Sequence, residues 1–145
     1  MKRLLCLALL LVTATASAGS LRGALIVASD GTFLGTCDGK YSATSIANDY
    51  GKYGNAYSAT SMFNTYSQYG SDYGSLSAFN DYSSSAPYLL GADASLLKMF
   101  TSFSYRPTPG IVKALRSSGG ARVSTNRALA KAIDPNVLRV ACENP

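Results

Sequence analysis

Between Tyr41 and Pro87 a 16-residue unit recurs three times, beginning at Tyr41, Tyr57 and Tyr73: YSATSIANDYGKYGNA, YSATSMFNTYSQYGSD and YGSLSAFNDYSSSAP. Ser45, Ser61 and Ser77 align. So do Asn48, Asn64 and Asn80, and Tyr50, Tyr66 and Tyr82. Tyr53-Gly54 and Tyr69-Gly70 match in the first two copies, and the third drifts into Ser84-Ser85. A fixed period means that one small structural unit is used three times and must share an apolar face with its neighbours. Gly and Ser are too frequent here for long helices or strands. The unit therefore reads as a short helical turn, capped by Ser42 or Ser58, followed by a Tyr-Gly bend. Each copy has one apolar pair: Ile46-Ala47, Met62-Phe63 and Ala78-Phe79.

The repeat also explains the aromatic composition. Eight of the ten Tyr lie between Tyr41 and Tyr82, while the chain has five Phe and no Trp. Tyrosine rings are thus a large part of the apolar stock of the block, and each needs a partner for its hydroxyl when buried. Tyr50, Tyr66 and Tyr82 are expected at least half buried between units, with Tyr66, in the central copy, the most costly to truncate. Asn48, Asn64 and Asn80 are expected to brace turns through their side chains. Tyr53 and Tyr69 complete the set of repeat-structural positions.

The segments around the repeat give an α+β reading, with small antiparallel hairpins flanking the three units and short helices at the C-terminus. Residues 1–18 read as a secretory signal: Lys2 and Arg3, the apolar run Leu4–Val12, and the small-x-small site Ala16-Ser17-Ala18. Cys6 would leave with it. Residues 19–145 then form one domain. Within 19–40, Leu25–Ala28 and Thr32–Cys37 flank an Asp30-Gly31 turn, the pattern of a hairpin. Residues 41–86 are the repeats. Residues 87–109 resume with Pro87-Tyr88-Leu89-Leu90 and continue either as a second hairpin or as a helix over Ala94–Phe103, since Leu96, Leu97 and Phe100 also fit helical spacing. Residues 110–145 are basic and helical, with helices expected over Gly110–Ser117 and Thr125–Ile133, the latter capped by Ser124. A terminal helical turn or strand is expected over Val137–Cys142.

With these segments laid out, the chain resembles a group of uncharacterised exported bacterial proteins. These carry tandem Asn-Pro-Tyr-Gly-x-Tyr-Gly-Ser units between segments of the type Asp-Gly-x-hydrophobe-Leu-Gly. The matching residues are Asp30-Gly31-Thr32-Phe33-Leu34-Gly35, Asn48-Asp49-Tyr50-Gly51-Lys52-Tyr53-Gly54 and Asn64-Thr65-Tyr66-Ser67-Gln68-Tyr69-Gly70. Asp49, Thr65 and Asp81 stand where the family pattern has Pro. The resemblance implies export and a compact repeat fold, and no activity.

Cysteine usage fits export. After signal removal only Cys37 and Cys142 remain, and an oxidising compartment lets them pair. Charge is divided: residues 19–97 carry a net −3 and residues 98–145 a net +6. A basic segment suits an anionic lipid or polysaccharide, or rests against the acidic half; outside the cell, nucleic acid is excluded as a partner.

The chemistry-bearing residues are sparse. There is no His, so the usual neutral-pH base and His-based triads are absent. The Asp residues fall singly in turns, and no Gly-x-Ser-x-Gly elbow occurs. The expectation is a non-enzymatic exported module of the cell envelope, secreted or periplasmic, with no catalytic, cofactor or metal residues and no transmembrane segment once the signal is cleaved. Its partner would be an envelope protein or polysaccharide. The alternative is a glycan- or Ca²⁺-binding module. Tyr rings would stack on sugars, or Asn48, Asp49, Asn64, Asp72, Asn80 and Asp81 would offer oxygens to the cation.

Overall fold

A computed structural model describes residues 21–145; the predicted signal segment lies outside the described residues. The hairpin forms as expected, from β1 (Ala24–Val27) and β2 (Phe33–Cys37). Its loop runs over 28–32. Asp30 Oδ1 accepts the Thr32 N–H at 3.0 Å, and Gly31 takes φ +91°, a left-handed conformation that glycine adopts without steric cost. The register runs from Ala24 opposite Cys37 to Val27 opposite Phe33, with a bulge between Ile26 and Val27. After the repeat block the chain returns to the free edge of this hairpin. There β3 (Tyr88–Leu90) pairs antiparallel with β1.

The next segment is helical, not a second hairpin. α1 (Ala94–Phe100) begins at Asp93, whose side chain accepts the N–H groups of Ser95 and Leu96. α2 (Pro109–Ser117) follows, with Thr108 as its cap and Pro at the first helical position. Then β4 (Ala121–Val123) joins β3 antiparallel, and β5 (Ala132–Ile133) joins β4 parallel. α3 (Pro135–Glu143) ends the chain, capped by Asp134. The sheet order is β2-β1-β3-β4-β5.

The helix expected over Thr125–Ile133 is absent. Ser124 Oγ does accept the Asn126 N–H, at 2.9 Å, but the backbone then turns instead of coiling. Asn126 Oδ1 takes the Ala128 N–H, and its Nδ2 donates to the Ser83 carbonyl, 43 residues away in sequence. Lys131 adopts φ +57° and ends the loop, so that Ala132 and Ile133 lie beside β4. The four-residue spacing of Leu129 and Ile133 suggested a helix, but non-local hydrogen bonds decide the segment.

Side-chain alternation on β1 divides the core in two. Leu25 and Val27 meet Phe33, Tyr88, Phe100 and Leu115, so α1 and α2 cover that face. Ala24, Ile26 and Ala28 meet Leu34, Ile46, Met62, Ala78, Leu138 and Cys142, so the repeat block and α3 cover the other. The Cys37–Cys142 disulfide expected from the cysteine count fastens α3 to β2 across a sequence separation of 105. Among the described residues no helix is long and apolar enough to cross a membrane.

Candidate functional site: an exposed tyrosine array

No helix forms in the repeat block, where the expected helical turn per unit is reduced to single i→i+4 bonds from Asn55 to Gly51 and from Ser71 to Ser67. Its backbone is a chain of β-turns placed mostly every three residues. Carbonyls of Ser42, Ser45, Asn48 and Gly51 accept the N–H groups of Ser45, Asn48, Gly51 and Gly54 in turn. The same ladder runs from Ser58 through Ser61, Asn64 and Ser67 to Gly70, and from Ser71 through Gly74 to Ser77. The corner residues are therefore Ser, Asn or Gly for a chemical reason. At most corners a side-chain oxygen accepts the N–H two residues on, the Asx- or Ser-turn geometry. Ser45, Ser61 and Ser77 hold Ala47, Phe63 and Phe79 in this way, at 3.1, 3.1 and 3.0 Å. These three serines are buried and still satisfied.

Asn48, Asn64 and Asn80 each make two such bonds. Oδ1 accepts the N–H of Tyr50, Tyr66 or Tyr82 at 3.0 Å. Nδ2 donates back to the carbonyl of Ser42, Ser58 or Gly74, also at 3.0 Å. Both ends of each amide are thus engaged with backbone. Each asparagine oxygen serves a turn N–H, and among the described residues no three of Asp, Glu and Cys converge. Asp49 instead pairs with Arg139, whose guanidinium also lies 4.4 Å from the centre of the Phe63 ring. Burial holds the Arg139 pKa below its usual value.

The block sorts its tyrosines sharply. Tyr69 is 5% exposed; its hydroxyl donates to Asp30, lies 3.0 Å from the Thr32 hydroxyl and accepts from Gln68 Nε2. Tyr53 packs edge-on against Phe33 with ring centroids 5.1 Å apart. Burial raises the pKa of both phenols. Each is followed by a glycine whose position admits no side chain: a Cβ would stand 2.1 Å from the Asn48 carbonyl oxygen at Gly54 and 2.3 Å from that of Asn64 at Gly70.

Tyr50, Tyr66 and Tyr82 behave in the opposite way. They are 96%, 92% and 93% exposed, which overturns the expectation that these rings pack between units. The packing is done by Ile46, Met62 and Ala78, with Phe63 and Phe79 in edge contact at 6.0 Å between neighbouring units. The Asn corner ties down the N–H of each Tyr in a turn that faces water. A second set, Tyr41, Tyr57 and Tyr73, is 87–94% exposed. Asn55 and Ser71 hold Tyr57 and Tyr73 as the asparagines hold their neighbours. Reading for packing missed this set, and the local pattern does not single it out: Asn or Ser stands two residues before five of the six exposed rings, but Ser67 also stands two residues before the buried Tyr69.

The result is six solvent-facing phenols at two repeated positions of the array, presented by turns whose side-chain hydrogen bonds go to the array's own backbone. Such a surface offers flat apolar rings and hydroxyl donors with no charge requirement. No family model, curated protein or solved structure matches this chain.

Proposed function

We infer that this protein is a non-enzymatic interaction module of the cell envelope whose contact surface is the tyrosine array, and that the array takes an extended polysaccharide. The observation that carries this reading is the near-complete exposure of six tyrosines at two repeated positions. Rings held in water by a rigid turn contribute nothing to the core. On the face of a pyranose they bury apolar area on both partners while the hydroxyl keeps a hydrogen bond. A polymer suits the site better than a single sugar, because three successive units present the same pair of rings and contacts add along a chain. Export is supported by Lys2–Ala18 and by the disulfide, which persists in an oxidising compartment. The resemblance to exported bacterial repeat proteins agrees with it.

The test is co-sedimentation with insoluble polymers (peptidoglycan sacculi, cellulose and chitin) and a thermal shift with their soluble fragments. Binding to at least one polymer is expected, and a triple variant, Y50A/Y66A/Y82A, should lose it by at least about tenfold while keeping its melting temperature. No binding to any polymer, or equal binding by the triple variant, removes the reading.

A further inference from the structure

The side of the molecule opposite the array carries a different surface. Of the basic side chains after Leu97, Arg122 lies over the Tyr88 ring, Arg139 pairs with Asp49, and Lys131 donates to the Gly119 carbonyl. Lys98, Arg106, Lys113 and Arg116 instead occupy the exposed side of α1, α2 and the loop between them. From Ala94 to Ser118 there is no Asp or Glu. A nearby carboxylate is Asp30, in the groove beside Lys113 and Arg116, and it accepts from Thr32 and Tyr69.

In the middle of this basic stretch Phe103 is 98% exposed, with Met99 partly exposed four residues before it. The loop that presents Phe103 is held from below. The Tyr105 ring packs edge-on against Phe100 at 5.2 Å, and its hydroxyl donates to the Gly31 carbonyl. Arg106 donates to the carbonyls of Phe103 and Tyr105, at 3.4 and 2.7 Å. The phenyl ring therefore stands in water on an anchored loop, in a stretch whose charged side chains are all basic.

We propose that this face docks on an anionic lipid surface, with Phe103 entering the boundary between headgroups and acyl chains and the four basic side chains meeting lipid phosphates. Charge complementarity selects the partner's sign, and Phe103 selects its kind. A soluble polyanion would satisfy the cations but leave the ring in water. A lipid surface offers both the anionic layer and an apolar interior. The proposal is independent of the tyrosine array, which lies across the sheet.

Because the chain contains no Trp, Phe103→Trp places a single reporter at the docking point. With the full chain, its emission is expected to shift to the blue and resist acrylamide quenching on phosphatidylglycerol vesicles, but not on phosphatidylcholine vesicles. The shift should weaken as salt rises. Adding K98E/K113E to the reporter should weaken partitioning at least about tenfold, and F103A should weaken vesicle co-sedimentation roughly tenfold. The apolar stretch Leu4–Val12 is common to every variant, so differences among them report on the helical layer. Y50A/Y66A/Y82A should bind vesicles normally. An equal shift on phosphatidylcholine, no shift on phosphatidylglycerol, or unchanged partitioning of the charge-reversed variant overturns the proposal. So does binding to heparin with a silent reporter on lipid.

Discussion

One face of the sheet is closed by α1 and α2, the other mainly by the turn array, and the two covers work differently. The helical layer is held by large apolar contacts: Phe100 stacks on Phe33 at 5.4 Å, and Leu115 and Leu97 fill in around them. The array also sends large apolar groups inward, among them Ile46, Met62, Tyr69, Phe63 and Phe79, but between them it keeps its shape through side-chain hydrogen bonds to backbone at its corners. The contrast shows that a cover layer need not be apolar throughout. It needs one apolar stripe toward the sheet and a closed set of hydrogen bonds elsewhere. It also implies different sensitivities, which mutation can test.

The largest effect is expected where the array side is clamped. Removing the bridge with C37S/C142S releases a loop spanning 105 residues, and the loop-entropy model gives a loss of about 4–5 kcal/mol in urea unfolding. A loss under about 1 kcal/mol would mean that α3 holds to β2 without it.

Phe100→Ala should cost about 3–4 kcal/mol, because a ring only 6% exposed leaves a cavity between helix and sheet. Indifference to this truncation would erase the apolar side of the comparison. In the array the corresponding weak points are polar. Asn64→Ala removes an acceptor for the Tyr66 N–H and a donor to the Ser58 carbonyl, and should cost about 2 kcal/mol. Asn64→Asp keeps the acceptor and should recover part of that. If Asn64→Ala is silent, the corners are not what hold the array.

Three phenols make stability depend on alkali. Burial holds Tyr53, Tyr69 and Tyr105 above the ordinary tyrosine value, and the Asp30 carboxylate adds to this at Tyr69 and Tyr105. The folded chain then keeps phenolic protons that the unfolded chain releases, so stability present below about pH 10 should fall as pH rises through the raised values. Urea midpoints measured across that range check the sign, and Y69F should flatten the fall. A stability that rises through the same range would contradict the burial of these groups.

The smallest effect is the most diagnostic. Tyr66→Ala should change stability by no more than about 0.5 kcal/mol, since the ring is 92% exposed. Set beside Asn64→Ala, two residues away, it would show that the array's frame and its contact surface are separate sets of side chains. A large loss at Tyr66 would put the rings back in the core.

Local sequence determined the elements whose causes are local. Asp30-Gly31 turns the first hairpin, Asp93 and Thr108 cap α1 and α2, and the 16-residue period imposes its turn pattern on the block. The cysteines were legible as a pair because Cys6 falls in the stretch read as a signal, which sets Cys37 and Cys142 apart. Tertiary structure decided which tyrosines face inward. Tyr50 and Tyr53 are three residues apart, each two residues after a corner, and nothing in their own chemistry distinguishes them. The difference lies in which turn of the coil meets the sheet: the turn of Tyr53 meets Phe33, while that of Tyr50 points to water. The loop at 124–131 was decided in the same way, because its shape depends on a carbonyl of Ser83 that only the folded array brings within reach of Asn126. Propensity and spacing act over a few residues, whereas the partner that satisfies a buried polar group lies wherever the fold places it.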